Sequence, residues 1–348
     1  MTYSMKKNMK KILLLLFALL LLAGVGVAGY IYSVANTGFD AKKVTYIYVD
    51  QSRDYGKVIR QIKDSAKVQD ISNFKMLASY RGYPGNIKTG RYAIEPTDNV
   101  WTVVNKLNRI LQTPTKVTFN NIRLKADLVE RISEQLMFTD AEFMAALNDS
   151  ARCASYGFNT ETIIAMFIPN TYEFYWDVTV DSFLARMKKE YDSFWTAERL
   201  EKAKQLNLTP VEVASLAAIV EEECTLTKEY PIVAGLYLNR LKIGQLLQAD
   251  PTLKYAVGDF SLQRVLDIHK TVDSPYNTYK YKGLPPSPIR IPSIKGINAV
   301  LDPAKHNYYY MCAKEDLLGE HNFANSLAEH NRNANRYRQT LNQRKIYR

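Results

Sequence analysis

Three consecutive carboxylates, Glu221, Glu222 and Glu223, close an apolar run in "AAIVEEECT" (217–225). A carboxyl group becomes a useful acid and base when its surroundings move its pKa toward neutrality. On a solvated helix flank it does no chemistry. The residues before the run begin to separate the three. In "TPVEVASLAAIVEEECT", Thr209 and Glu212 have capping-box spacing and Pro210 suits the first helical position. At about 100° per residue, Val213, Leu216, Ala217, Val220 and Cys224 share one stripe, the expected core face. Glu222 projects away from that stripe and is expected in solvent, while Glu221 and Glu223 flank it. Glu223 has Leu216, Ile219 and Val220 behind it, whereas Glu221 has only Ala217 and Ala218. The bulkier apolar surround disfavours the ionised form more strongly. Glu223 therefore ranks first as a general acid, Glu221 second and Glu222 last.

Other reactive side chains are sparse. Cys153, Cys224 and Cys312 show no CxxC spacing, and an odd, scattered count does not describe a disulfide framework. Cys224 on the core stripe would be an inert thiol rather than a nucleophile. His269, His306, His321 and His330 are equally scattered, so no metal site and no cofactor is expected.

The elements that must hold these residues follow from the rest of the chain. The 348 residues suggest two or three domains. A net charge of +11 with 24 tyrosines points to an anionic partner, whether nucleic acid, membrane surface or acidic polymer. The N-terminus chooses among these. Ile12 to Tyr32 is uncharged and long enough to cross a bilayer, and Lys6, Lys7, Lys10 and Lys11 precede it. The positive-inside rule leaves residues 1–11 in the cytoplasm, 12–32 in the membrane and the remainder outside, with 33–43 as a linker. A cleaved signal peptide ending near Ala28 is the competing reading, but signal peptides have shorter apolar cores. Nucleic acid is thereby set aside as a partner.

Three stretches then repeat one pattern: "TYIYV" before "DYGKVIRQI", "GRYAI" before "DNVWTVVNKL", and "KVTF" before "ADLVERISEQL". A β-type residue is followed by apolar helix positions at constant spacing: Val49 with Val58 and Ile62, Ile94 with Val103 and Leu107, Phe119 with Leu128 and Ile132. Shared spacing marks a strand–turn–helix unit. The stretch Tyr92 to Val100, "YAIEPTDNV", resembles a LysM module, keeping its spacing and Asp98 but having Thr97 for the glycine and Asn99 for the threonine. From about 139 the pattern is mainly helical, with a capping box at Thr139 and Glu142 and an amphipathic helix over 180–195. The segment 168–176, "IPNTYEFYW", reads as an aromatic loop, the chain after 250 as long ordered loops, and the basic C-terminal stretch as a solvated helix or tail.

The stretches "ASLAAIVEEECT", "VAGLYLNRLKIGQLLQADPTLKYAVG", "SPYNTYKYKGLPPSPI" and "HNFANSLAEHN" resemble, in order and spacing, the YceG-like, or MltG, endolytic murein transglycosylases. The resemblance covers nearly the whole chain. It implies an α+β fold, with a transmembrane helix, a LysM-like αβ domain over 44–115 and a mainly helical catalytic domain over 116–348 that carries small β elements. It also implies that the catalytic glutamate is the second acid of an E-x-E pair, which falls on Glu223. The activity implied is cleavage of the MurNAc–GlcNAc bond within peptidoglycan strands, at the inner membrane and without cofactor. Limiting strand length, in company with cell-wall synthases, is the role that goes with it. Gln248, Asp250, Tyr276, Asn277 and Glu221 would contact the sugars. The chain departs from the family pattern at Asn170, Ala249 and Cys224. A non-catalytic peptidoglycan-binding scaffold is the alternative.

Overall fold

The computed structural model describes residues 2–262 and 265–344, in two compact units: Met1–Lys116 with Glu173–Asp177, and Val117–Tyr172 with Val178–Arg348. Helix and sheet are mixed, helix predominating, and the sheets are small.

The first unit begins with α1 (Thr2–Ala35), whose stretch Met9–Ala35 has mean hydropathy 2.8 and is exposed from 9 to 33. It is long and apolar enough to cross a membrane. After it come β1 (Thr45–Val49), α2 (Tyr55–Arg60) running on into a π turn (Gln61–Ser65), α3 (Ile71–Tyr80), β2 (Gly90–Ile94) and α4 (Val100–Asn108). β1 and β2 are antiparallel, Thr45 opposite Ile94 and Val49 opposite Gly90. Side chains of Asp54, Asp70 and Asn99 cap the three helices that follow them.

The chain at 33–43 is not a free tether. Val34 and Phe39 are buried in the core of this unit, and the carbonyl of Thr37 accepts from Val100 N–H at 2.9 Å. Gly38 and Phe39 make isolated bridges to Asn99 and Val68. Apolar residues at positions 34 and 39 find a core within reach, so this stretch packs instead of swinging.

β3 (Thr115–Phe119) crosses the boundary at Lys116, and the second unit continues with α5 (Lys125–Ser133), α6 (Asp140–Asn148) and α7 (Ser150–Ser155). β4 (Asn170–Phe174) pairs with β3, so the expected aromatic loop at 168–176 contains a strand. Alternation decides this, since Tyr172 and Phe174 are buried while Thr171 and Glu173 are exposed. All nine positions of the repeated spacing are buried, from Val49 to Ile132. The three units do not form one array, because β1 and β2 pair together while β3 pairs with β4.

Beyond these lie α8 (Val180–Phe194), α9 (Ala197–Gln205), α10 (Pro210–Glu223), α11 (Tyr230–Lys242), α12 (Asp250–Val257) and α13 (Ile294–Leu301). The hairpin β5 (Tyr310–Ala313) and β6 (His321–Ala324) follows, then α14 (Leu327–Gln343). "HNFANSLAEHN" is therefore a strand and a helix start rather than a loop. Nor is α14 merely solvated, for it packs along the hairpin and buries Asn333.

Around α10 the single-stripe expectation fails. Every residue from Val213 to Val220 is buried, so the helix is the axis of the core and not its edge. Small residues at Ala214, Ser215, Ala217 and Ala218 let neighbours approach from the side that periodicity assigned to solvent. Glycines do the same on the partners. A Cβ on Gly296 of α13 would lie 2.2 Å from Oε1 of Glu221, and one on Gly235 of α11 would lie 2.5 Å from the carbonyl oxygen of Ala304.

Candidate active site

α10 starts as its residues dictate. The Thr209 hydroxyl accepts from Glu212 N–H at 3.3 Å, and the Glu212 carboxylate accepts from Thr209 N–H at 2.8 Å. The helix ends at Glu223, where Cys224 turns to extended backbone. Three carboxylates at a helix C-terminus sit at its negative end, where anions are disfavoured. Each needs compensation, and the three receive different kinds.

Glu222 is not the free surface charge that helix geometry suggested. Its carboxylate pairs with Arg290 at 2.7 Å and with Arg123 at 2.9 Å, on a side chain only 20% exposed. Glu221 is more buried still, with its side chain 5% exposed. It accepts from the Ser293 hydroxyl and from Ser293 N–H at 2.9 Å, at the start of α13. The Arg290 guanidinium stands 3.7 Å away, too far for a hydrogen bond. Glu221 thus binds α10 to α13.

Among the described residues no Lys, Arg or His forms an ion pair with Glu223, although the charge of nearby Arg240 favours its ionised form. Oε1 of Glu223 accepts from the Tyr237 hydroxyl at 2.8 Å, and the backbone N–H of Asp250 also favours the charged form. Burial outweighs all three, with the nearby Asp250 carboxylate adding to it, and pushes the carboxyl up from 4.5 to about 7. Burial, together with the Glu223 charge, likewise holds the Tyr237 hydroxyl well above its usual range, so it is a donor at any ordinary pH. The adjacent Cys224 thiol is buried and pushed up to about 12, which leaves it inert.

Two cavities meet at Glu223. One, of about 350 Å³, is lined by Tyr237, Arg240, Gln248, Asp250, Tyr279 and Tyr310 among others. The second, of about 510 Å³, is lined by Thr225, Lys314, Glu320, His321 and Tyr337 among others. The wall of the first is built from α11 and the "LQADPT" segment. There Leu247 and Ala249 are fully buried while Gln248 and Asp250 point outward. Thr278 straps this segment, accepting from Ala249 N–H through its hydroxyl at 3.0 Å and from Gln248 N–H through its carbonyl at 3.1 Å. Gln248 takes a left-handed backbone, φ 51°, which sets the direction of its side chain. Asp250 accepts a hydrogen bond from the Tyr279 hydroxyl. Arg240 is buried and holds the carbonyls of Tyr309 at 2.6 Å and Leu247 at 2.7 Å, joining both walls. In the second cavity, the buried Glu229 carboxylate holds His321 by its ring Nδ1 at 2.8 Å and by its N–H at 2.9 Å.

Of the candidates read from the sequence, Glu223, Gln248 and Asp250 are thus brought to one cavity. Tyr276 and Asn277 are not among its lining residues. Asn277 is fully buried, donating to the carbonyls of Lys270 and Val272 at 3.0 and 2.7 Å and accepting from Tyr279 N–H at 3.0 Å. Tyr276 lies against Tyr255 and bonds Ser287. Both residues shape the loop that places Tyr279. Sequence reasoning passed over Tyr237, Arg240, Tyr279 and His321. Tyr237 and Arg240 reach the site because α11 packs on α10, and no spacing along the chain signals that contact. Among the described residues no cluster of His, Cys, Asp and Glu could hold a metal ion.

A half-buried carboxyl raised toward neutrality, lining two clefts at the end of a core helix, has the properties general acid–base chemistry requires. The YceG-like family profile matches residues 47–336, and the chain belongs to that family. It is 25% identical over 321 residues to a Bacillus subtilis (strain 168) protein named endolytic murein transglycosylase, covering 88% of each chain. It is also 25% identical to the protein of the same name from Streptococcus pneumoniae D39, covering 92% of this chain but 63% of that longer one. A crystal structure of a YceG-like protein from Listeria monocytogenes superposes with TM-score 0.54 at 25% identity, over 84% of this chain and 99% of that one.

Proposed function

We propose that the protein is a membrane-anchored endolytic lytic transglycosylase that cuts the MurNAc–GlcNAc β-1,4 bond inside peptidoglycan strands. The observation that carries this reading is Glu223, a carboxyl with pKa about 7, tied to a tyrosine hydroxyl and shared by two cavities. A site open on both sides of its acid suits a cut within a strand, because sugar units extend each way from the scissile bond.

In this reading Glu223 begins protonated and gives its proton to the leaving glycosidic oxygen as the C1–O bond breaks. The resulting carboxylate then takes the proton from the MurNAc C6 hydroxyl, whose oxygen attacks C1 and closes the 1,6-anhydro ring. The proton account balances with one carboxyl group and no water, unlike ordinary glycosidases, which need two. Tyr237 stabilises the carboxylate between the two steps. Gln248 and Asp250, which line the cavity beside Glu223, bind sugar hydroxyls in this reading, with Tyr279 orienting Asp250. The reading also includes a LysM-like domain over 44–115, a catalytic domain over 116–348, an N-terminus in the cytoplasm, a role in limiting strand length and contact with cell-wall synthases.

The test is digestion of purified peptidoglycan by the full chain and by Glu223→Gln. Wild type should release products ending in 1,6-anhydroMurNAc, identified by mass spectrometry, and the variant none. Sacculus binding without any anhydro product from wild type would support the scaffold alternative instead.

A further inference from the structure

The packing of residues 34–39 into the first unit, and the contact of Tyr30 with Met76, make the end of α1 continuous with that unit. From this continuity we infer that the first unit lies on the outer surface of the membrane spanned by α1, seated through the exposed aromatic face of α3 and α4. The occupant of that face is the phosphate and upper acyl zone of the same bilayer. The inference rests on the reading of α1 as a retained span.

α1 and α3 run in opposite directions where they touch. Asn73 of α3 donates to the Thr37 hydroxyl at 2.8 Å, and Met76, three residues on, has its sulfur 3.9 Å from the Tyr30 hydroxyl. Moving forward along α3 therefore means moving back along α1, toward the apolar span. Tyr80, one turn beyond Met76, is carried to the level of the last apolar turns of α1. It is 84% exposed.

The length of the span sets the depth of this contact. A bilayer core of about 30 Å takes roughly 20 helical residues at about 1.5 Å each. Counted from Ile12, the first residue after the lysines, the span ends close to Tyr30. Tyr30 then stands at the interface, the level where Tyr and Trp side chains are enriched. Met76, beside it, stands at the same depth.

The side chains of the patch suit that level. Next to Tyr80, Arg81 lies over the ring of Trp101 at 5.1 Å, and Trp101 is itself 44% exposed. An exposed Met, Tyr and Trp around an arginine would be an unexplained apolar patch in water. At a lipid interface the rings take the acyl boundary, and the Arg81 guanidinium, which also donates to Asn105 at 3.0 Å, snorkels up toward the phosphates. Ile110, at the end of α4, adds an exposed β-branched side chain on a left-handed backbone, φ 56°.

The experiment uses the full chain in lipid nanodiscs, with Cys312→Ala and Tyr80→Cys carrying a small fluorophore. Cys153 and Cys224 are buried and remain unlabelled. A nitroxide at a shallow acyl position should remove more than half of the emission, while aqueous iodide removes little. Trp101 provides an unlabelled readout, as the emission difference between the intact chain and Trp101→Phe should be quenched by the same lipid. Full iodide access with no lipid quenching at both positions would overturn the docking. Failure of the chain to enter nanodiscs at all would instead overturn the span, and the inference with it.

Discussion

Replacing Glu223 by glutamine should stabilise the second unit, and only at pH values where the native carboxyl is forced to ionise. Burial raises this carboxyl from 4.5 to about 7. The folded state therefore holds its proton more tightly than the unfolded state, so stability is greatest at low pH. It declines as pH rises through 4.5 and levels off above about 7. At ~1.4 kcal/mol per pKa unit, the full penalty reaches about 3 kcal/mol near pH 8 and falls below about 0.5 kcal/mol near pH 4.5. Glutamine keeps the shape and cannot ionise. Any fixed cost of presenting an amide to Tyr237 and Asp250 N–H is the same at every pH and cancels in the comparison. The measurement is urea unfolding of wild type and variant across this range, read from Trp195, which is buried against the α10 core. Phe at positions 101 and 176 silences the other two tryptophans, which belong to the first unit. A stability difference between variant and wild type that stays flat with pH would refute the claim that burial of Glu223 outweighs the groups that favour its charge.

Activity should decline above about pH 7 as Glu223 loses the proton needed for the first step, visible as an alkaline limb in kcat/KM. Tyr237→Phe removes the hydroxyl that favours the carboxylate, so that limb should move upward by about one pH unit while turnover falls. Glu222→Gln leaves Arg290 and Arg123 without their shared carboxylate, and should cost about 1–3 kcal/mol in urea unfolding without moving the pH profile. Gly296→Ala forces a methyl against Glu221 and should cost about 1–3 kcal/mol, part of which Glu221→Ala restores in a double-mutant cycle.

Much of the local structure was legible. Thr209, Pro210 and Glu212 set the start of α10, and the shared spacing around Val49, Ile94 and Phe119 located three strand–helix pairs with all nine positions buried. These signals depend on neighbours within a few turns. The strand at 170–174 was hidden because alternation over five residues is brief and a proline precedes it. The packing of 33–39 was hidden because two apolar residues in a polar stretch do not announce a core several dozen residues away.

Residue order alone was enough to define the start of the helix and the apolar surround that singled out Glu223. That follows because capping and side-chain spacing act within one element. Which glutamates carry a compensating partner depends instead on packing between distant segments. Arg290 lies 68 residues beyond Glu222 and Ser293 lies 72 beyond Glu221, and both arrive because α13 packs on α10. Arg123 comes from 99 residues before Glu222. A run that is uniform in charge thus becomes one helix tie, one ion-paired anchor and one carboxyl left to exchange a proton. Electrostatic energy depends on distance in space and on burial, and the spacing of residues along the chain sets neither.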